Sequence, residues 1–173
     1  MRRITYSSTI ALLAVALGAG IPAAAHQGPH VEARKKISTT RYAWGVQGDP
    51  RKATRTINID MADTMRFTPD TIEVEPGTTV KFVVKNGGAQ MHEMVIGTEA
   101  ALREHAEMMK KHHGMAHDEP YMTHVQPGAS GMIAWTFVEP GTYAFGCLVP
   151  GHWEAGMKGT IVVAKKAAGR TSP

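Results

Sequence analysis

Disulfide bonding is the first thing this chain does without. It has 173 residues and one cysteine, so no internal bridge can form. Cys147 must be free, paired with another molecule, or held by a metal. A long apolar run is missing as well. The stretch from Ile10 to Leu17 is too short to span a bilayer, and no later segment is uniformly apolar for longer. No Ser/His/Asp set, paired carboxylates or phosphate-cradling glycine loop offers competing chemistry, because the glycines sit mostly at turns. Charge excess is small. The formal +4 includes Arg2 and Arg3, and the remaining basic cluster (Arg34, Lys35, Lys36, Arg41, Arg51, Lys52, Arg55) reads as a solvated arm, not a nucleic-acid surface.

Those two arginines belong to a recognisable leader. Met1-Arg2-Arg3, the apolar run and Ala23-Ala24-Ala25 form a charged start, a hydrophobic centre and a small-residue cleavage site. The expectation is a signal peptide over residues 1–25 and a periplasmic protein with no membrane span after cleavage. A basic, partly ordered arm over residues 26–55 follows, with Tyr42, Trp44 and Val46 as its anchors. One domain over residues 56–164 and a flexible tail over 165–173 complete the division.

From Thr56 onward, short alternating or apolar runs are separated by turns at Pro76-Gly77, Pro127-Gly128 and Pro140-Gly141, the rhythm of an all-β sandwich. Strands are expected at residues 56–61, 71–75, 78–85, 92–96, 131–138, 142–147 and 159–164. Tyr143, Phe145 and Cys147 share one parity, which points the thiol to the same face as two aromatic rings. Residues 99–113 break this pattern. Their Ala, Leu, Glu, Met and Lys content predicts a helix inserted between two strands.

The chemistry is concentrated in Cys147-Leu148-Val149-Pro150-Gly151-His152-Trp153-Glu154-Ala155-Gly156-Met157. The Pro150-Gly151 turn folds this segment back so that donors five residues apart can converge. Thiolate and neutral imidazole both suit copper, and a weak axial thioether accommodates Cu(I) and Cu(II) in one pocket, whereas zinc prefers a fuller tetrahedral set. The fourth ligand is best supplied by His92, in Met91-His92-Glu93-Met94. Two histidines, one cysteine and a distant methionine make a blue-copper set. A buried structural cysteine beside an ordinary histidine is the competing explanation.

A second cluster is richer still. His105, His112, His113, His117 and His124 are interspersed with Met108, Met109, Met115 and Met122. Helical spacing lets His105, Met108 or Met109, and His112 or His113 share a face that could chelate additional, weaker copper. Equally, Leu102, Ala106 and Met109 could dock the helix while the histidines face solvent. After cleavage His26 would join an α-amine to its imidazole, with His30 nearby, as a third possible copper site against the plainer reading of a frayed terminus.

These residues resemble the cupredoxin superfamily over Thr56 to Ala164, with His92, Cys147, His152 and Met157 falling on that family's type 1 copper ligands. The ligand-loop spacing is similar to that of rusticyanin and auracyanin, and the helical insertion resembles the azurin flap. With the leader, the segment Asp63-Thr64-Met65-Arg66-Phe67-Thr68-Pro69 and the His/Met-rich insertion, the chain looks most like periplasmic copper-tolerance cupredoxins of the CopI type. The resemblance implies a Greek-key sandwich of about eight strands. One departure is Glu93, where many electron carriers place Asn after the first histidine, which leaves the hydrogen bonding near the thiolate open.

Function divides three ways. An electron carrier would offer the His152 ring edge to a redox partner near Leu148, Val149 and Trp153. A copper-tolerance protein would gain from every extra soft donor in the insertion. A multicopper enzyme would need further copper centres across domains, for which the chain is too short. The expectation is therefore a non-enzymatic copper protein with one-electron redox capability serving copper tolerance.

Overall fold

The computed structural model describes residues 36–111 and 119–165. The leader, residues 26–35 of the arm and residues 166–173 of the tail lie outside them. The strands are β1 (Arg41–Tyr42), β2 (Gly45–Gln47), β3 (Arg55–Ala62), β4 (Arg66–Thr68), β5 (Thr71–Val74), β6 (Thr79–Asn86), β7 (His92–Gly97), β8 (Met122–Val125), β9 (Ser130–Thr136), β10 (Gly141–Gly146) and β11 (Lys158–Val163). One helix, α1 (Glu99–Lys111), follows β7. No helix among the described residues is long and apolar enough to cross a membrane.

Two sheets result, ordered β1-β2-β9-β6-β3-β4 and β5-β11-β10-β7-β8. The chain passes repeatedly from one to the other, so sequence neighbours often lie in different sheets. Period-two alternation decides what each strand buries. In β3, Ile57, Ile59 and Met61 point inward while Asn58 and Asp60 face solvent. Val80, Phe82 and Val84 of β6 lie beside them, with Ile57 level with Phe82 and Ile59 level with Val84 in a parallel pairing. Trp135 of β9 lies opposite Val80 and is fully buried. From the second sheet, Met94, Ile96, Tyr143, Phe145 and Ile161 meet this face in one continuous core.

β7 departs from alternation, because all six of its residues are buried. Met94 and Ile96 face the sandwich core, while Val95 on the other side lies in a second cluster with Leu102 and Ala106 of α1, Met122, Leu148 and Trp153. The helix therefore covers what would otherwise be the solvent face of this sheet. Its start is set by Thr98, whose Oγ1 accepts the Ala101 N–H at 3.2 Å, and Glu99 in the first turn with Lys110 and Lys111 in the last suit the helix dipole. Of the expected helix, residues 112 and 113 lie outside the described residues.

The sheet extends further toward the N-terminus than the sequence reading placed it. β2 pairs with β9, Val46 opposite Thr136, so residues 41–47 of the expected arm belong to the sandwich edge. The anchors are aromatic: Tyr42 and Trp44 pack with Tyr121 and Trp135, with ring centroids 5.0–6.1 Å apart, and the Trp135 indole N–H donates to the Trp44 carbonyl at 2.8 Å. Strands β1, β2, β4 and β8 add to the seven placed from the sequence and bring the count among the described residues to eleven. Each is two to four residues long, too short to display a period.

Phe82→Ala should cost about 3–5 kcal/mol of unfolding free energy, whereas Lys85→Ala on the exposed side of the same strand should stay within about 0.5 kcal/mol. Urea unfolding of both variants checks the assignment of faces.

Candidate metal centre

Two neighbouring strands bring the donors together. β10 runs antiparallel to β7 with Phe145 opposite Ile96 and Gly146 opposite Val95. The chain then delivers Cys147 beside the first residues of β7. His92 and Cys147 are both fully buried, and His152 is 7% exposed. The Cys147 Sγ lies 3.3 Å from His152 Nδ1, which lies 3.2 Å from His92 Nδ1. The three donor atoms all fall within 4.8 Å of one another, and among the described residues they form the convergent group of metal-binding side chains.

The 147–157 loop is built to hold this geometry. A turn over Val149-Pro150-Gly151-His152 is closed by the His152 N–H on the Val149 carbonyl at 2.9 Å, with Gly151 at φ 87°, the left-handed value that the third position of a type II turn requires. The Met157 N–H donates to the His152 carbonyl and the Cys147 N–H to the Met157 carbonyl, at 2.9 and 3.0 Å. Met157 is fully buried in the same core as Cys147. Arg66 of β4 donates to the Ala155 carbonyl at 3.0 Å. Trp153 packs onto Gly146 so closely that a Cβ there would collide with the indole.

Electrostatics follow from burial. The Cys147 thiol is pushed up to about 12, chiefly by loss of solvent and against the pull of the Glu93 and Val149 amides. The Glu93 N–H donates to Sγ at 3.5 Å. His152 is shifted down, first by burial and then by His92, so its imidazole is neutral and able to offer a lone pair at neutral pH. His92 turns its other nitrogen outward, and the Nε2–H donates to Asp63 Oδ1 at 2.9 Å. An ionised carboxylate can only accept, so Nε2 carries a proton and Nδ1 is the nitrogen turned toward the other donors. Asp63 is itself held below the usual carboxylate range, by the Ala89 N–H first and by His92 next. One buried thiol, two buried imidazoles and a thioether buried in the same core fit copper better than harder cations.

Glu93 is 2% exposed and holds the loop from behind. Its carboxylate accepts the Leu148 N–H at 2.8 Å and pairs with His124 Nε2 at 2.9 Å. The departure from Asn thus leaves the backbone amide on the sulfur and places a side-chain clip on the next residue.

Only part of the second cluster falls among the described residues. His105 and Met109 lie partly buried on α1, and Met108 is 43% exposed. Met122 is buried in the helix-docking cluster, and His124 is engaged by Glu93. His112, His113, Met115 and His117 lie outside the described residues, as do His26 and His30. Asp63 was not visible to sequence reasoning, because 29 residues separate it from His92 and no spacing rule links them. Arg66 and Trp153 acquire their roles from the fold in the same way.

Removing the Glu93 carboxylate tests the clip. Glu93→Ala leaves a buried Leu148 N–H unpaired and should lower stability by about 2–3 kcal/mol, and Glu93→Gln, which still accepts from it, by about half as much. Urea unfolding of the metal-free protein measures both.

Known proteins agree with this geometry. Residues 53–164 match the model of a family described as copper binding proteins, plastocyanin/azurin family. The copper-resistant cuproprotein CopI of Rubrivivax gelatinosus is 47% identical over 138 residues, covering 80% of this chain and 82% of its own. The CopI of Pseudomonas aeruginosa is 33% identical over 150 residues, 70% of this chain and 82% of its own. Among solved structures, reduced auracyanin from Roseiflexus castenholzii superposes with a TM-score of 0.56 at 29% identity, over 65% of this chain and 98% of auracyanin. Joined to the sandwich and its buried His-Cys-His group, these matches show that the chain belongs to the plastocyanin/azurin family of copper-binding proteins.

Proposed function

We propose that the protein binds one copper ion through His92 Nδ1, Cys147 Sγ and His152 Nδ1, with the Met157 thioether as a further, weaker donor, and that it serves copper tolerance outside the cytoplasm. The observation that carries this reading is the convergence of the three donor atoms within 4.8 Å in a buried pocket. The relatives that match over most of their length are named for copper resistance, which favours tolerance over a dedicated electron carrier. The leader over residues 1–25 supports a periplasmic location. We take the protein to be a binding protein, not an enzyme.

Each side chain has a distinct task. Cys147 gives up its proton on binding, which a thiol raised by burial does only in exchange for a cation. His92 and His152 would each supply an imidazole nitrogen, and the lowered proton affinity of His152 favours its release of any proton. Met157, buried in the same core, would add a soft donor that suits either oxidation state. Copper, when bound, would supply a one-electron couple, and the hydrogen-bonded loop holds the donors in place for it. His152, the most exposed of the three donors, is where a redox partner would approach.

Copper content and the absorption spectrum of the exported protein test the assignment. Cys147→Ser should abolish intense visible absorption, and Met157→Leu should keep copper while shifting spectrum and potential. Copper taken up by the Cys147→Ser variant, followed through the histidine resonances of the insertion, decides whether that segment holds further metal. A deletion strain should lose survival at high copper. Normal tolerance with impaired electron flow would establish the carrier instead.

A further inference from the structure

We propose that Asp63 is a positioning residue for the metal centre, fixing His92 in the tautomer that presents Nδ1 and, through its negative charge, weighting the site toward Cu(II). This rests on the assignment of His92 as a ligand.

The geometry is specific. Asp63 opens the three-residue turn between β3 and β4, where Ala62 lies opposite Arg66 and the Met65 N–H donates to the Ala62 carbonyl at 3.0 Å. Met65 closes the turn at φ 58°, a left-handed conformation that is costly for a residue with a Cβ and usual at the third residue of such a hairpin. The turn aims one carboxylate at the chain entering β7. Oδ2 accepts the Ala89 N–H at 2.7 Å, and Oδ1 accepts both the Gln90 N–H at 3.3 Å and the His92 Nε2–H at 2.9 Å. Gly88 passes so near that a Cβ would strike the carboxylate. One side chain therefore ties down the backbone before His92 and the far edge of its ring.

A neutral acceptor could hold the ring as well, but it would not carry a full charge. A carboxylate on the distal N–H draws the proton toward itself and makes the opposite nitrogen a better donor. The more highly charged ion gains most from that donor, so the Cu(II) form is favoured over Cu(I) and the reduction potential falls.

The experiment compares the full-length wild type with Asp63→Asn and Asp63→Ala. Asn can still accept from the His92 N–H but is uncharged. The variant should keep copper and lose about ten- to a hundredfold in Cu(II) affinity relative to Cu(I), which raises the potential by about 59 mV for each factor of ten. In metal-free Asp63→Ala, nitrogen shifts of the His92 ring should change from a single Nε2–H tautomer to a mixture. Wild-type potential and ring shifts in both variants, with only a lower melting temperature, would overturn the proposal and leave Asp63 as a turn residue. A wild type that takes up no copper overturns the ligand assignment itself. The ring shifts of the metal-free protein tell the two failures apart.

Discussion

Everything at the metal centre depends on the pairing register of β7 and β10. With Phe145 opposite Ile96 and Gly146 opposite Val95, odd-numbered residues at the end of β10 face the sandwich interior and even-numbered ones face α1. Cys147 thereby enters the core, while Leu148 joins Leu102 and Ala106 on the helix side. A slip of one residue would exchange them, placing a leucine between two histidines and a thiol against the helix. Such a slip is opposed along the whole strand, since it would also turn Phe145 and Tyr143 out of the core. The apolar residues of the strand thus hold the thiol in place without touching any metal.

Burial brings a second requirement, because every polar atom carried inside must be matched. The centre contains two imidazoles, a thiol, a carboxylate and the amides of a tight loop, and each finds a partner from a different element. β3 and β4 contribute Asp63 and Arg66 at their junction, β7 contributes the Glu93 amide and carboxylate, and β8 contributes His124. The donors are consequently arranged by the fold and do not have to be gathered from a flexible loop, which spares the ordering entropy that a metal would otherwise have to offset.

How much of this the sequence disclosed depended on distance along the chain. Cys147 and His152 are linked by five residues and a Pro-Gly turn, so local chemistry revealed both, and the turn closes as Pro150-Gly151 predicts. The longer strands declared themselves by alternation, as in β3 and β6. His92 could be named by residue type and by resemblance, but its partner Asp63 could not, since their contact exists only once β3 and β7 are folded. Glu93 stood out as an unusual neighbour, yet its link to Leu148 lies 55 residues away. The short strands β1, β2, β4 and β8 were missed for a different reason: a strand of two to four residues is defined by its hydrogen-bonded neighbour more than by its own pattern.

The His/Met-rich region shows why composition alone is ambiguous. Methionine is a soft metal donor and also an adaptable core residue, and histidine is both a ligand and a hydrogen-bonding side chain. Where the chain is described, the fold has used Met122 as core and His124 as the partner of a buried carboxylate. Helix α1 likewise has a duty that does not involve its own donors, for Leu102 and Ala106 cover Val95, Leu148 and Trp153 and so wall off the back of the ligand loop from water. A helix without histidine or methionine could do the same, provided it kept that apolar stripe. Of the donors on the helix, His105 and Met109 are partly buried and share in that packing, whereas Met108, 43% exposed, is the position that packing leaves free to vary.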